Sequence, residues 1–225
     1  LPGKVLAEMG GTTMLGFLLD RLAPLPWPVV VATSDLGQDD VVAALAAEHG
    51  VQVVRGPEQD VLARYRIAAD ETGADVIVRL TADCPLLDPA LVEEVVMVRE
   101  AYGSDYASNS VVRCFPDGLD AEAMTADALR TADAEATDAE DREHVTPFIW
   151  RRPDRFTVTQ VVTEPPRGLE RECDAHRTLP LCVSAPTFEA IAHRSGAVLP
   201  REFIGRPRGR WRSASRTRRR PGGSR

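Results

Sequence analysis

Cysteine is scarce here and badly spaced for chemistry. The 225 residues hold four, Cys84, Cys114, Cys173 and Cys182, with no CxxC pair. No histidines and cysteines stand at zinc-site intervals, which excludes zinc ribbons and fingers. The expected state is free thiols in a reducing cytoplasm. No apolar run reaches the roughly 20 residues that span a bilayer, and no secretory leader pattern occurs, so no membrane partner is expected. Walker A and GxGxxG sequences are missing, which leaves P-loop and dinucleotide sites without support. No Ser, Cys or His arrangement reads as a covalent nucleophile.

Positive charge is short in the body of the chain. Lysine and arginine total 27 against 34 acids. Nine of those bases are arginines in residues 206–225, where there is no acid, so residues 1–205 carry 18 bases against 34 acids. An acidic body argues against nucleic acid as a partner. The low-complexity basic end is expected to be a disordered tail over 205–225. Apolar residues make up 44% of the chain. That suffices to bury the core of one large α/β domain.

What is present is an alternation. Val29–Ser34, Val51–Gly56 and Ala74–Leu80 are β-branched runs that end in polar or glycine-bearing turns, the pattern of buried strands. Between them, Asp39–Gly50 and Gln59–Gly73 read as helices, stopped by glycine. Asp88–Ala101 reads as a helix with Asp88 as N-cap and Pro89 at its first position. Ser104–Asn109 is a fourth strand. Strands and helices at this spacing make βαβ units and a mostly parallel, three-layer sheet. Farther on, Gly118–Met124 reads as a strand or hairpin arm, and Thr125–Ala136 as a helix. Thr137–Arg152 is expected to be one helix opened by a capping box of Thr137 and Glu140. Arg155–Val162 is another strand and Pro186–Gly196 another helix.

Ligands in such sheets bind beyond the carboxyl ends of the strands. The run VIVRLTADCPLLDP (Val76–Pro89) aims one acid, Asp83, out of a strand tip. That placement suits a divalent ion shared with substrate phosphates. It equally suits a turn-forming residue ahead of Pro85. LPGKVL puts Lys4 after a Pro-Gly turn, which suits an anion or a solvated surface turn. DREHVTPF packs Asp141, Arg142, Glu143 and His144 into one short stretch, which would otherwise be a solvated helix face.

Taken in order, LPGKVL, VVVATS, GVQVVRGPEQDVLARY, GADVIVRLTADCPLLDP, DYASN, FPDGLDAEAM and DREHVTPF closely resemble the cytidylyltransferase-like family of spore coat polysaccharide biosynthesis protein F. That family is similar to the acylneuraminate and deoxy-octulosonate cytidylyltransferases. The resemblance covers about residues 1–162. It implies a nucleotide-diphospho-sugar transferase fold, Rossmann-like, over 1–164, with a degenerate final part over 165–204. It also implies transfer of CMP from CTP to a sugar of acidic type, with Mg²⁺ as cofactor and pyrophosphate as product. By the same resemblance Lys4 contacts the triphosphate and Asp83 holds the metal. Arg64 and Arg79 serve the nucleotide. Glu143 and His144 face the acceptor sugar, with His144 as proton acceptor, and Asp117 and Asp120 lie on the same side. GLDAEAM could serve as the arm of a homodimer.

The chain departs from the family pattern twice. The family carries a strand and an ARMGSTR-like loop just before LPGK, and this sequence starts at Leu1. An N-terminally truncated, marginally stable and inactive chain is therefore one expectation. The family also carries an LRLTVDTPED-like segment. Here Leu169–Ser184 reads LERECDAHRTLPLCVS, with Asp174 near the expected acid and neighbours that a local frameshift would explain. Two other readings stay open: a glycosyltransferase on a related fold, although a DxD motif is missing, and an inactive remnant of the enzyme.

Overall fold

The computed structural model of the chain describes residues 3–162 and 182–184. A 3-10 turn over Lys4–Leu6 leads into a hairpin of β1 (Glu8–Met9) and β2 (Thr12–Thr13). Gly10 and Gly11 turn its tip at φ 63° and 89°, angles that a Cβ would strain. The Thr13 hydroxyl accepts the Gly16 N–H at 3.0 Å and caps α1 (Met14–Leu22). Leu15, Leu18, Leu19 and Leu22 of α1 are buried, a stripe at i, i+3, i+4 and i+7.

The expected alternation follows. It comprises β3 (Val30–Ser34), α2 (Asp40–Glu48), β4 (Gln52–Gly56), α3 (Val61–Thr72), β5 (Val76–Arg79), α4 (Pro89–Tyr102) and β6 (Tyr106–Ser108). Asp60 caps α3 by accepting the Ala63 N–H at 3.0 Å. Asp88 caps α4 through the Ala90 N–H at 3.0 Å, with Pro89 in the first turn. After these come β7 (Glu122–Thr125), α5 (Ala126–Glu135), α6 (Ala139–His144), α7 (Pro147–Trp150), β8 (Val158–Val162) and β9 (Cys182–Ser184).

β3 and β4 pair in parallel, from Val30 opposite Gln52 to Ser34 opposite Gly56. The other strands form a five-stranded sheet in the order β5-β7-β6-β8-β9. β7 runs antiparallel to both β5 and β6, while β6-β8 and β8-β9 are parallel. Four of the five strands therefore run one way, the mostly parallel sheet expected, and β7 alone is reversed. The cause is the link from β6 to β7: residues 109–121 turn back at the same end of the sheet instead of crossing over, so β7 must run the other way.

Successive strand residues face opposite sides of this sheet. Ile77, Tyr106, Met124 and Val158 enter a core shared with α3, α5 and α7. Ala107, Ala123 and Val161 enter a second core shared with α1 and α4, against which Val78 packs. Helices thus cover both faces, giving the three layers expected. β8 is buried throughout, whereas the apolar runs of β3 and β5 are only half-buried over most of their length. Among the described residues β3 pairs with β4 alone and β5 with β7 alone.

The single helix expected over Thr137–Arg152 is two short helices, α6 and α7, broken at Val145 and Thr146. Pro147 explains the break, because it has no N–H to continue the ladder and its ring collides with the carbonyl four residues earlier. Asp138, not Thr137, stands at the N-cap. The helix expected over Pro186–Gly196, Asp174 and the basic tail lie outside the described residues.

Candidate active site

The ends of β3, β4 and β5 meet around the start of α3. Gly56, the last residue of β4, lies against Arg64, and a Cβ on it would come 2.8 Å from Arg64 Cγ. The glycine of VVRGPEQD is therefore required by close approach. Beyond β3, Asp39 Oδ2 accepts from Ser34 Oγ at 2.6 Å, Thr33 Oγ1 at 3.0 Å and the Ser34 N–H at 3.1 Å. Burial alone would push its carboxyl up, but those bonds and the Arg64 charge hold it below the usual carboxylate range. Beyond β5, the Tyr65 hydroxyl of α3 donates to the Leu80 carbonyl at 3.2 Å. Arg64 Nε is buried there with no hydrogen-bond partner among the described residues. A guanidinium donor left unmatched at three strand tips is suited to an anion.

Asp83 follows the tip of β5, and its Oδ2 lies 3.3 Å from Lys4 Nζ. Both side chains are about half exposed, 46% for Lys4 and 49% for Asp83. Burial raises the Asp83 carboxyl, but hydrogen bonds from Thr81 and Lys4, together with the Lys4 charge, bring it below the usual value. Asp83 is thus ionised at neutral pH and open to solvent. Among the described residues no group of three acidic, histidine or cysteine side chains is placed to enclose a metal. One ionised, accessible carboxylate nevertheless fits Mg²⁺, which usually takes one or two protein carboxylates and completes its shell with phosphate oxygens and water. Lys4 is also the only lysine in the chain, where 26 other cations are arginine. A compact, solvated ammonium is kept at this one position, which the residue count alone could have flagged.

Beside this corner opens a cleft of about 420 Å³. Its walls include Arg79 and Thr81 from β5 and its tip, Asp120 and Glu122 at β7, and His144, Thr146 and Trp150 from α6 and α7. Thr81 is the hinge between the two places, touching Cys84 Sγ at 3.1 Å and bonding Asp83. The cleft floor is organised by Glu122. Its carboxylate pairs with Arg79 and accepts hydroxyl bonds from Tyr106 and Thr146, both at 2.6 Å. Arg79 Nε is buried without a partner among the described residues, so donors remain on this guanidinium. Burial works against the charge of Arg79, but the Glu122 carboxylate outweighs it and holds the guanidinium cationic. The Asp120 carboxyl is raised by burial, eased by the Arg113 charge and raised again by Glu122 and Asp117.

The residues expected to act from sequence therefore divide. Lys4 and Asp83 stand together, Arg64 sits at the strand tips, and Arg79, Asp120 and His144 line the cleft. Glu143 is exposed and outside the cleft lining, and Asp117 is exposed in the β6-β7 loop, paired with Arg113. Arg142 turns away from the cleft. Its Nε and Nη2 hold both oxygens of Asp60 at 2.9 and 2.5 Å, and Nη2 also reaches Asp133 at 2.7 Å. Sequence reading missed Glu122, Thr81, Thr146 and Trp150. Asp120 and Glu122 are two apart, a spacing that sets both on one face of an extended segment and could have pointed to Glu122.

Comparison with known proteins gives a consistent result. The family model described as "Cytidylyltransferase" matches residues 1–188. The chain is 37% identical over 174 residues to the uncharacterized protein MJ1063 of Methanocaldococcus jannaschii, covering 76% of this chain and 70% of the relative. It is 32% identical over 165 residues to the spore coat polysaccharide biosynthesis protein SpsF of Bacillus subtilis, covering 70% and 68%. The structure of a cytidylyltransferase from Leptospira borgpetersenii superposes with a TM-score of 0.69 at 34% identity, covering 74% of this chain and 71% of that one.

Proposed function

The chain belongs to the cytidylyltransferase family, and from that premise we propose that it transfers CMP from CTP to a hydroxyl of a sugar used in surface polysaccharide, releasing pyrophosphate. The observation that carries the reading is the meeting of Lys4 and Asp83 at the mouth of β5, next to a polar cleft. In this reading the sugar oxygen forms a bond to the α-phosphorus as the bond from that phosphorus to the bridging oxygen breaks. The electron pair leaves with pyrophosphate. Lys4 meets the triphosphate, and Arg64 adds a second cation at the strand tips. Asp83 would hold Mg²⁺, which when bound neutralises charge building on the leaving group. His144, which lines the cleft, accepts the hydroxyl proton as the general base. Positioning and charge neutralisation do most of the work, so no covalent enzyme intermediate is needed.

The acidic character of the sugar is the finer part of the proposal. Arg79 supports it, since it lines the cleft and its buried Nε has no partner among the described residues. The setting would be the cytoplasm, where CTP is available; of the GLDAEAM segment expected to serve as a homodimer arm, Ala121, Glu122, Ala123 and Met124 are buried, which leaves only Gly118, Leu119 and Asp120 to meet a second copy. No described helix is long and apolar enough to cross a membrane.

The test is pyrophosphate release from CTP with Mg²⁺ and a panel of acidic and neutral sugars. A sugar-dependent signal is expected with an acidic member; a signal with neutral sugars alone would remove the acidic assignment. A second measurement does not need turnover. Because Lys4 is the only lysine side chain, an amine-selective acylating reagent reports on it alone among side chains. CTP with Mg²⁺ should protect Lys4 from acylation. Equal labelling with and without nucleotide would remove Lys4 from the site.

A further inference from the structure

Residues 139–150 cannot form one continuous helix and still serve the cleft. In an α-helix, residues two apart point about 200° apart. His144 and Thr146 would then face opposite ways, yet both line the cleft. The chain resolves this at Val145, whose φ is 72° and ψ is −57°. The Thr146 N–H donates to the His144 carbonyl at 2.8 Å. Together these define a γ-turn of the positive-φ kind, which is rare and strained. For a β-branched residue a positive φ is an outlier, and Val145 is the only described non-glycine residue that has one. Thr146 adds a second conflict. It sits at φ −96° and ψ −17°, in the helical region that a following proline disfavours.

Such a pair persists only where the surroundings over-determine it. Here they do. The Val145 side chain is fully buried in the core that also holds Leu129 and Phe148. Its N–H donates to the Asp141 carbonyl at 3.1 Å, and the Thr146 hydroxyl is fixed on Glu122. We propose that Val145 is a positioning residue: its buried side chain locks a strained γ-turn that sets His144 and Thr146 on one wall of the cleft. Strain kept at a cleft wall, beside the residue that accepts the proton, is the pattern of a site organised before its substrate arrives. The catalytic side of this inference rests on the proposed reaction, and the conformational side does not.

Three variants of the full chain test it: Val145→Gly, Val145→Ala and Val145→Ile. At ordinary backbone angles alanine is the more stable of the alanine and glycine pair, and at positive φ the order inverts. Thermal unfolding should therefore place the glycine variant at or above the alanine variant. An alanine variant that melts higher overturns the strained turn. In the sugar-dependent assay the glycine variant should lose at least tenfold in kcat, with KM for CTP within twofold, and should lose the histidine limb of the kcat pH profile. The isoleucine variant, which keeps the buried branched anchor, should retain kcat within threefold and keep that limb. A glycine variant with wild-type kcat and an unchanged pH profile overturns the positioning role. If the unsubstituted chain gives no turnover with any sugar, the proposed reaction has failed, and the melting order still decides the turn.

Discussion

A carboxylate facing an ammonium at 3.3 Å, as Asp83 faces Lys4, keeps its charge well into acid. The pair is half exposed, so its contribution to stability is about 0–1 kcal/mol. Asp83→Asn should therefore shift the melting temperature by no more than about 3 °C. Pyrophosphate release should nonetheless fall by about 100-fold or more, because charge neutralisation at the leaving group is lost. Near-normal release would reduce Asp83 to a turn residue ahead of Pro85. His144→Ala should lower kcat more than it weakens CTP binding; a collapse of CTP affinity with kcat intact would move His144 to the nucleotide. Asp120 gives the opposite kind of signature. Its folded-state carboxyl is raised, so the folded chain releases this proton later than the unfolded chain does. The resulting penalty is present at neutral pH and vanishes as pH falls below the ordinary value of 3.8. Asp120→Asn should melt higher at pH 7, with the gain shrinking toward pH 3, while KM for the sugar rises. A stability gain bought with lost sugar affinity marks a residue kept for binding.

At the scale of elements, Arg142 ties α6 to the N-cap of α3 and to α5 through Asp60 and Asp133. Burial raises the Asp60 carboxyl and is outweighed by the Arg142 and Ala63 hydrogen bonds, leaving it below 3.8. Its stabilising effect is full above the unfolded value and is lost as pH falls through the lowered one. Arg142→Met should cost about 2 kcal/mol, or roughly 4–8 °C for a chain of this size. It should also flatten the acid limb of the melting profile below about pH 4. An unchanged acid limb would place the pair's contribution elsewhere. The elements from β3 to β6 were legible because each is an apolar run or helix bounded by its own cap, such as Asp60, Asp88 or Gly73. α1 and its hairpin have comparable signals in Thr13 and the Gly10–Gly11 turn, but no run of β-branched residues draws attention to them. The break at Val145 was hidden by a capping pattern at Thr137 that overrode the warning from Pro147. The antiparallel course of β7 follows from where a loop returns, which residue pattern does not encode. In the site, Asp83 was legible from its place after a strand. Glu122 was not, since its importance comes from register: it sits opposite Arg79 across β5 and β7 and opposite Ser108 on β6.

Over the whole molecule, the described strands outside the β1-β2 hairpin fall into two sheets. β3 and β5 each leave one edge without a strand among the described residues, and Val29 and Val78 beside those edges pack against the same core. One strand pairing with both edges would join the sheets and bury the half-exposed faces of both runs. A strand of roughly 5–6 residues has the length to fill that place. The same edges have a colloidal consequence. An unpaired strand edge is a template that any extended peptide can copy, so β3 and β5, each open on one side among the described residues, should draw molecules into self-association that grows with concentration, against the mutual repulsion of their acidic surfaces.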